Sequence, residues 1–184
     1  MSLHTWNIDG TWTLFLDRDG VMNEKLEGAY VRNVHEMHLL LLVPEAVAKF
    51  NTIFQRTVLV TNQQGIGKGI MTEDELALVH GYLQERLAAA EGRLDNIYYA
   101  PQLAAENHPM RKPGIGMAQA AQADFPEIDF AKSIVVGDSV SDMRFGRAAG
   151  MKCVFMLNGR NPAEFEPNLW DEAFPNLAGF AQAL

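Results

Sequence analysis

Two carboxylates one residue apart, Asp17 and Asp19, close the apolar run Trp12-Thr13-Leu14-Phe15-Leu16 and are followed by Gly20-Val21. A buried-strand pattern that ends in two acids and a glycine puts both side chains on a loop at the carboxyl edge of a sheet, where open α/β folds hold their ligands. Like charges so close repel and raise a pKa, so the pair suits a divalent cation or a division between nucleophile and acid/base. Asp and Gly also end strands as plain solvated turns. The pair alone does not separate the two readings.

Three later clusters do. After Val58-Leu59-Val60 come Thr61-Asn62-Gln63-Gln64-Gly65, a hydroxyl and amides beside a glycine turn, suited to gripping phosphate oxygens through side chains and backbone N–H groups. Arg111-Lys112-Pro113-Gly114 brings two cations ahead of a helix. After Ile134-Val135-Val136 come Gly137-Asp138-Ser139-Val140-Ser141-Asp142, a second pair of acids. In a parallel sheet all these strand ends converge on one crevice, so Asp17, Asp19, Asp138 and Asp142 meet Thr61, Asn62 and Lys112. Oxygen-only ligands favour Mg²⁺ over zinc. Such ligands, phosphate donors and a neutralising cation are what phosphoryl transfer needs, with a carboxylate to attack phosphorus and a metal to bridge nucleophile and phosphate.

The elements that must position these groups alternate. Strand-like runs at 12–16, 58–61, 97–100, 134–136 and 153–157 are separated by helix-compatible segments. The first helix carries Pro44 in its first turn and buries Val47, Phe50, Ile53 and Phe54. The second opens on the capping-box pattern Thr72-Glu73-Asp74-Glu75 and runs through Leu76, Val79, Leu83 and Leu87. A third covers 115–123; a fourth follows Asp138 and ends near Ala149, with Gly150 as its left-handed stop. Residues 161–167 read as a loop before a weakly patterned C-terminal helix. The pattern predicts an α/β fold: a single doubly wound, Rossmann-like parallel sheet of about five to six strands with helices on both faces. No large cap domain is expected, and residues 1–184 are expected to form one domain.

Composition narrows the function classes. A formal charge of −8 over 184 residues argues against a nucleic acid or an anionic membrane as partner, since those are bound through excess Lys and Arg. No apolar stretch approaches the roughly 20 residues of a membrane span, and no basic segment leads into an apolar one at the N-terminus. The one cysteine, Cys153, lies in an apolar run and reads as a core residue, leaving no internal disulfide and no cysteine-built zinc site. A cytoplasmic monomer acting on a small phosphorylated metabolite is expected.

In order and spacing, the four clusters resemble the four motifs of the haloacid dehalogenase superfamily, over roughly residues 12–157. The likeness is closest to its small capless phosphatases, whose substrates include D-glycero-D-manno-heptose 1,7-bisphosphate and histidinol phosphate. Gly28-Ala29-Tyr30-Val31 and Ile97-Tyr98-Tyr99 add to the likeness on the heptose side. The resemblance implies that Asp17 is the nucleophile, forms an aspartyl-phosphate and binds Mg²⁺. It implies that Asp19 is the acid/base, its backbone carbonyl a second metal ligand, and that Asp138 is the third ligand with Asp142 behind it. Thr61, Asn62 and Gln63 would hold the transferring phosphoryl group, Lys112 would neutralise it and Asp17, and Arg111 would reach a substrate oxygen or phosphate. Close relatives carry a zinc loop, Cys-x-His followed by Cys-x-Cys, where this chain has Ala100-Pro101-Gln102 and His108-Pro109-Met110. His108 alone cannot build a structural zinc site, so zinc is not expected, and the loop should be held by packing and by Pro101 and Pro109.

Other readings weigh less. Gly65-Ile66-Gly67-Lys68-Gly69 lacks the spacing and the Ser or Thr of a nucleotide-binding loop and reads as a flexible turn, with Lys68 able to face a substrate. His35 and His38 have no patterned partner and read as surface or half-buried packing. A non-cycling phospho-acceptor signalling module also uses an acidic pocket and Mg²⁺, but its acids are usually adjacent and its acceptor follows a later strand. A DNA 3′-phosphatase would need a basic stripe that this chain lacks.

Overall fold

In the computed structural model, which describes residues 3–166 and 168–184, strand β1 (Thr13–Leu16) lies inside a six-stranded sheet. The others are β2 (Arg56–Asn62), β3 (Asn96–Ala100), β4 (Ser133–Gly137), β5 (Lys152–Met156) and β6 (Glu172–Phe174). Their order is β3-β2-β1-β4-β5-β6, and every neighbouring pair is parallel. The chain works outward from β1 to β3 and then restarts at β4 on the other side. The strand order therefore reverses between β1 and β4, which opens a crevice at their carboxyl ends. The register fixes what meets there: Leu16 lies beside Val136, and Asp17 N–H donates to Val136 O at 2.9 Å.

Five helices cover the two faces among the described residues: α1 (Val43–Ile53), α2 (Glu73–Ala88), α3 (Gly116–Asp124), α4 (Val140–Ala149) and α5 (Leu177–Ala183). Successive strand residues point to opposite sides. Leu14, Leu16, Leu59 and Val136 accordingly join the apolar faces of α1, α2 and α5, while Phe15, Val58, Val60 and Val135 join those of α3 and α4. The apolar positions expected for α1 and α2 point inward, and Pro44 stands in the first turn of α1. The Thr72/Glu75 capping box is formed in full: Thr72 Oγ1 accepts from Glu75 N–H at 3.1 Å, and Glu75 Oε2 accepts from Thr72 N–H at 2.7 Å. Gly150 stops α4 with φ 81°.

The six strands fall within the expected five to six; the sixth, β6, is three half-buried residues at the sheet edge, too short to carry a periodic pattern. Residues 161–166 hold a single 3-10 turn, Pro162–Glu164, and Pro167 lies outside the described residues. Among the described residues no segment forms a cap: between Asp17 and α1 the chain holds one 3-10 turn, Val34–Glu36, and two isolated bridges. Tyr98 is buried and Tyr99 is half-buried, while His35 and His38 are exposed. Cys153 is buried, and that burial pushes its thiol up to about 12, so it stays protonated in the core.

Candidate active site

The loop after β1 turns sharply. The N–H groups of Val21, Met22 and Asn23 all donate to Arg18 O, and Gly20 N–H donates to Asn23 O. Gly20 takes φ 89°, and a Cβ there would run into the Asp138 carboxylate. Only glycine lets this loop close against the loop after β4. Asn158, after β5, braces the turn from outside by donating Nδ2–H to Gly20 O at 2.7 Å.

This packing brings Asp17, Asp138 and Asp142 together, with carboxylate oxygens within 4.8 Å of one another, and all three are buried. Burial raises the Asp17 pKa to about 7; the charges of Asp142 and Asp138 raise it too, and Lys112 opposes them. Burial likewise raises Asp138, against the charge of Lys25. Crowded buried acids held above their ordinary range favour whatever brings positive charge. An all-oxygen donor set of this kind suits Mg²⁺, which prefers carboxylates and keeps water in its remaining positions.

Lys112 stands inside the cluster. Its Nζ lies 2.8 Å from Asp17 Oδ1 and 2.5 Å from Asp142 Oδ1, and donates to Val60 O at 2.7 Å. Burial would strip its proton, but Asp142 and Asp17 together hold its pKa above the ordinary lysine value. Asn62 fixes the Lys112 backbone on both sides: Lys112 N–H donates to Asn62 Oδ1 at 3.0 Å, and Asn62 Nδ2–H donates to Lys112 O at 3.1 Å. Asp142 also caps α4, accepting at Oδ2 from Ser139 N–H at 3.0 Å and from Ser139 Oγ–H at 2.6 Å.

Asp19 lies apart from the acidic cluster. Its carboxylate accepts from Arg18 Nε–H and Nη2–H at 3.0–3.3 Å, from Asn23 Nδ2–H at 3.0 Å and from Gln63 Nε2–H at 3.0 Å. Burial works to raise its pKa, but the Arg18 charge and these hydrogen bonds outweigh it and hold Asp19 below the ordinary aspartate value. The same Gln63 Nε2 donates to Thr61 Oγ1 at 2.9 Å, tying Asp19 to Thr61.

These groups border a crevice of about 240 Å³ that also takes in Tyr30, Lys25, Thr61 and Arg111. Lys25 donates to both Asp138 oxygens at 3.0–3.1 Å, and Arg160 lies 3.8 Å from one of them. Lys68 stands 5.5 Å from the Tyr30 ring at the rim. Arg111 is held by its own loop, donating Nη1–H to Gln102 O at 3.3 Å. That loop is built by local bonds: Leu103 N–H to Glu106 Oε1 at 3.0 Å, and Met110 N–H to His108 Nδ1 at 3.2 Å.

All the residues singled out in the four sequence clusters thus converge on one crevice or on its immediate supports. Arg18, Asn23, Lys25 and His80 carry no signal in the motif spacing. Arg18 is completely buried, and its Nη1 lies 3.2 Å from His80 Nε2 on α2. His80 had one available signal: it falls on the face of α2 that Leu76, Val79 and Leu83 make apolar. Lys25 reaches Asp138 across 113 residues from an irregular segment and had none.

Comparison with known proteins gives the chain's relatives. Residues 109–177 match a family model for HAD-hydrolase-like proteins. The chain is 33% identical over 177 residues to the D-glycero-alpha-D-manno-heptose-1,7-bisphosphate 7-phosphatase of Mycobacterium tuberculosis, covering 94% of this chain and 91% of that one. It is 36% identical over 185 residues to the D-glycero-D-manno-heptose-1,7-bisphosphate 7-phosphatase of Chlorobaculum tepidum, covering 91% and 92%. The crystal structure of the D,D-heptose 1,7-bisphosphate phosphatase of B. bronchiseptica complexed with magnesium and phosphate matches with a TM-score of 0.84 at 28% identity, over 93% of this chain and 96% of that one.

Proposed function

Because the chain belongs to the D-glycero-D-manno-heptose-1,7-bisphosphate 7-phosphatase family of haloacid dehalogenase-like hydrolases, we propose that it removes the 7-phosphate of a heptose 1,7-bisphosphate. It is a Mg²⁺-dependent phosphoric monoester hydrolase. The observation that carries the finer reading is the pairing of an acidic cluster around Lys112 with a crevice that also presents Lys25 and Arg111, cations suited to a substrate bearing a second phosphate.

Asp17 and Asp138, with the Asp19 backbone carbonyl, would hold Mg²⁺, with Asp142 behind them. The ion supplies Lewis-acid charge stabilisation at the transferring phosphoryl group. Asp17 attacks phosphorus with a carboxylate oxygen, the bond to the sugar oxygen breaks, and an aspartyl-phosphate forms. Lys112, fixed 2.8 Å from Asp17, sets the direction of attack and balances charge on the phosphoryl oxygens. Thr61 and the Asn62 segment line the place where those oxygens must sit.

Asp19 gives a proton to the departing sugar oxygen and takes one back from the water that splits the aspartyl-phosphate, returning Asp17 and releasing phosphate. In the free protein Arg18, Asn23 and Gln63 favour its ionised form. A phosphate anion entering the crevice raises the pKa of the acid beside it and so favours the protonated form that the first step needs. We further propose that residues 1–184 act as one hydrolase domain, as a monomer in the cytoplasm, where thiols such as Cys153 stay reduced.

Steady-state kinetics with Mg²⁺ across heptose bisphosphate, hexose mono- and bisphosphates and histidinol phosphate tests the substrate. The expected result is the highest kcat/KM for heptose 1,7-bisphosphate, with the 1-phosphate retained in the product. A higher kcat/KM for histidinol phosphate would overturn it.

A further inference from the structure

The largest fully buried side chain among the described residues is a charged one, Arg18, set between the two acids of the first motif. A guanidinium has five N–H donors and no acceptor, and burying it is costly unless the donors find partners. The edge made by Nε and Nη2 is taken up by both oxygens of Asp19. Nη1 on the far side meets His80 Nε2 at 3.2 Å. Since Arg18 can only donate, Nε2 must accept, which places the ring proton on Nδ1 and requires a neutral imidazole. Burial and the Arg18 charge push His80 down to about 3, so the ring stays neutral over the working range. The ring is itself held edge-on against Tyr99 of β3, with centroids 6.2 Å apart.

These contacts form a line from the core face of α2, through the guanidinium, to the one carboxylate of the first motif that stands outside the acidic cluster. Asn23 and Gln63 fix Asp19 from its other sides. Without His80, the Nη1 edge would have no acceptor on the α2 side. The guanidinium would then be free to pivot about its contacts with Asp19 and carry the carboxylate with it.

We propose that His80 is a positioning residue for the acid/base of this enzyme, acting through Arg18 to hold the Asp19 carboxylate at the height from which it reaches the leaving oxygen and the attacking water. The inference rests on Asp19 having that role. Misplacing a reacting group by about 1 Å costs on the order of a hundredfold in rate. His80 touches neither substrate nor the metal-binding acids, so Mg²⁺ affinity should be untouched.

The test uses His80→Leu, which keeps bulk and removes the acceptor, and His80→Gln, whose Oε1 can take the place of Nε2. With heptose 1,7-bisphosphate or, failing turnover, 4-nitrophenyl phosphate, kcat of His80→Leu should fall about tenfold to a hundredfold, while Mg²⁺ affinity by calorimetry is unchanged. His80→Gln should recover to within about threefold, as a restored hydrogen bond to a charged group would. Adding His80→Leu to Asp19→Asn should produce no further loss, since a residue that acts only through Asp19 has nothing left to position. A loss that is additive with Asp19→Asn, a Gln variant as slow as the Leu variant, or a parallel loss of Mg²⁺ affinity would each overturn the proposal. Near-full activity of Asp19→Asn alone would instead overturn the acid/base reading on which it stands, and the two failures are told apart by that single variant.

Discussion

Replacing Lys112 by Met removes the buried cation that lies between Asp17 and Asp142 while keeping most of its aliphatic volume. At 2.8 Å and an effective dielectric near 20, a unit-charge pair is attracted by about 6 kcal/mol, most of which desolvation takes back. Removing one partner of such a buried pair typically costs ~3–5 kcal/mol, because the remaining charge is left uncompensated. Here two are left, Asp17 and Asp142, facing each other with no cation between them. The loss must therefore depend on pH, and its sign follows from Asp17, whose folded pKa already lies at about 7 against an ordinary 3.8. A carboxyl group raised in the folded state binds its proton more tightly there than in the unfolded chain. Stability is then lowest where the group is ionised in the fold, and it recovers as pH falls from above the folded value toward the unfolded one. In Lys112→Met the folded value moves higher still. Urea unfolding in EDTA, followed by circular dichroism, should show a loss of about 3–5 kcal/mol at pH 8.5 that shrinks clearly by pH 5.5. Addition of Mg²⁺ at pH 8.5 should restore part of it. A loss of the same size at both pH values would refute the reasoning, since it would mean that the lysine matters for packing and not for charge.

Three further outcomes follow from the same geometry. Mg²⁺ and a proton compete at Asp17, so the apparent Mg²⁺ affinity should fall about tenfold per pH unit below about 7 and binding should release close to one proton, as calorimetry in buffers of different ionisation enthalpy would read; a pH-independent affinity between 5.5 and 8 would contradict it. Gly20→Ala combines a left-handed backbone with a Cβ driven into Asp138, and it should lose about 1–3 kcal/mol of stability and most Mg²⁺ binding, measured by thermal unfolding and titration. Lys25→Met removes the ammonium that occupies both Asp138 oxygens, so Mg²⁺ should bind about tenfold more tightly while KM for a bisphosphate rises; weaker Mg²⁺ binding would show that Lys25 supports the metal site instead of competing for it.

Legibility in the sequence followed the range of the interaction. The Thr72/Glu75 box and the Gly150 stop are made within a few residues, and both appear where the local pattern puts them. The four polar clusters were legible for a different reason: each directly follows an apolar strand or the loop beyond one, and a parallel sheet leaves those ends nowhere else to go. What residue type could not convey was the direction a side chain takes once there. Asn62 reads as a free amide beside a phosphate site, yet its amide engages the Lys112 peptide on both sides. Lys25 comes from a segment without periodicity, and nothing in the motif spacing marks the burial of Arg18, an arginine being rarely buried without partners. Its partner His80 is visible only as a polar residue on an apolar stripe, a signal that by itself means no more than a satisfied core histidine.

Two aspartates one residue apart acquire opposite character from their surroundings. Asp17 is buried and faces Asp142 and Asp138 across a gap that Lys112 bridges only in part, and its pKa rises. Asp19 turns to the other side of the loop, where Arg18 offers a two-pronged contact and Asn23 and Gln63 add donors, and its pKa falls. In the free protein this order is the reverse of what the first step needs, an ionised Asp17 and a protonated Asp19; positive charge brought to Asp17 and a phosphate anion beside Asp19 both act to invert it. The division does not come from the acids, which are chemically identical. It comes from what each one faces: burial and two acidic neighbours for Asp17, and for Asp19 the Arg18 guanidinium with the donors of Asn23 and Gln63.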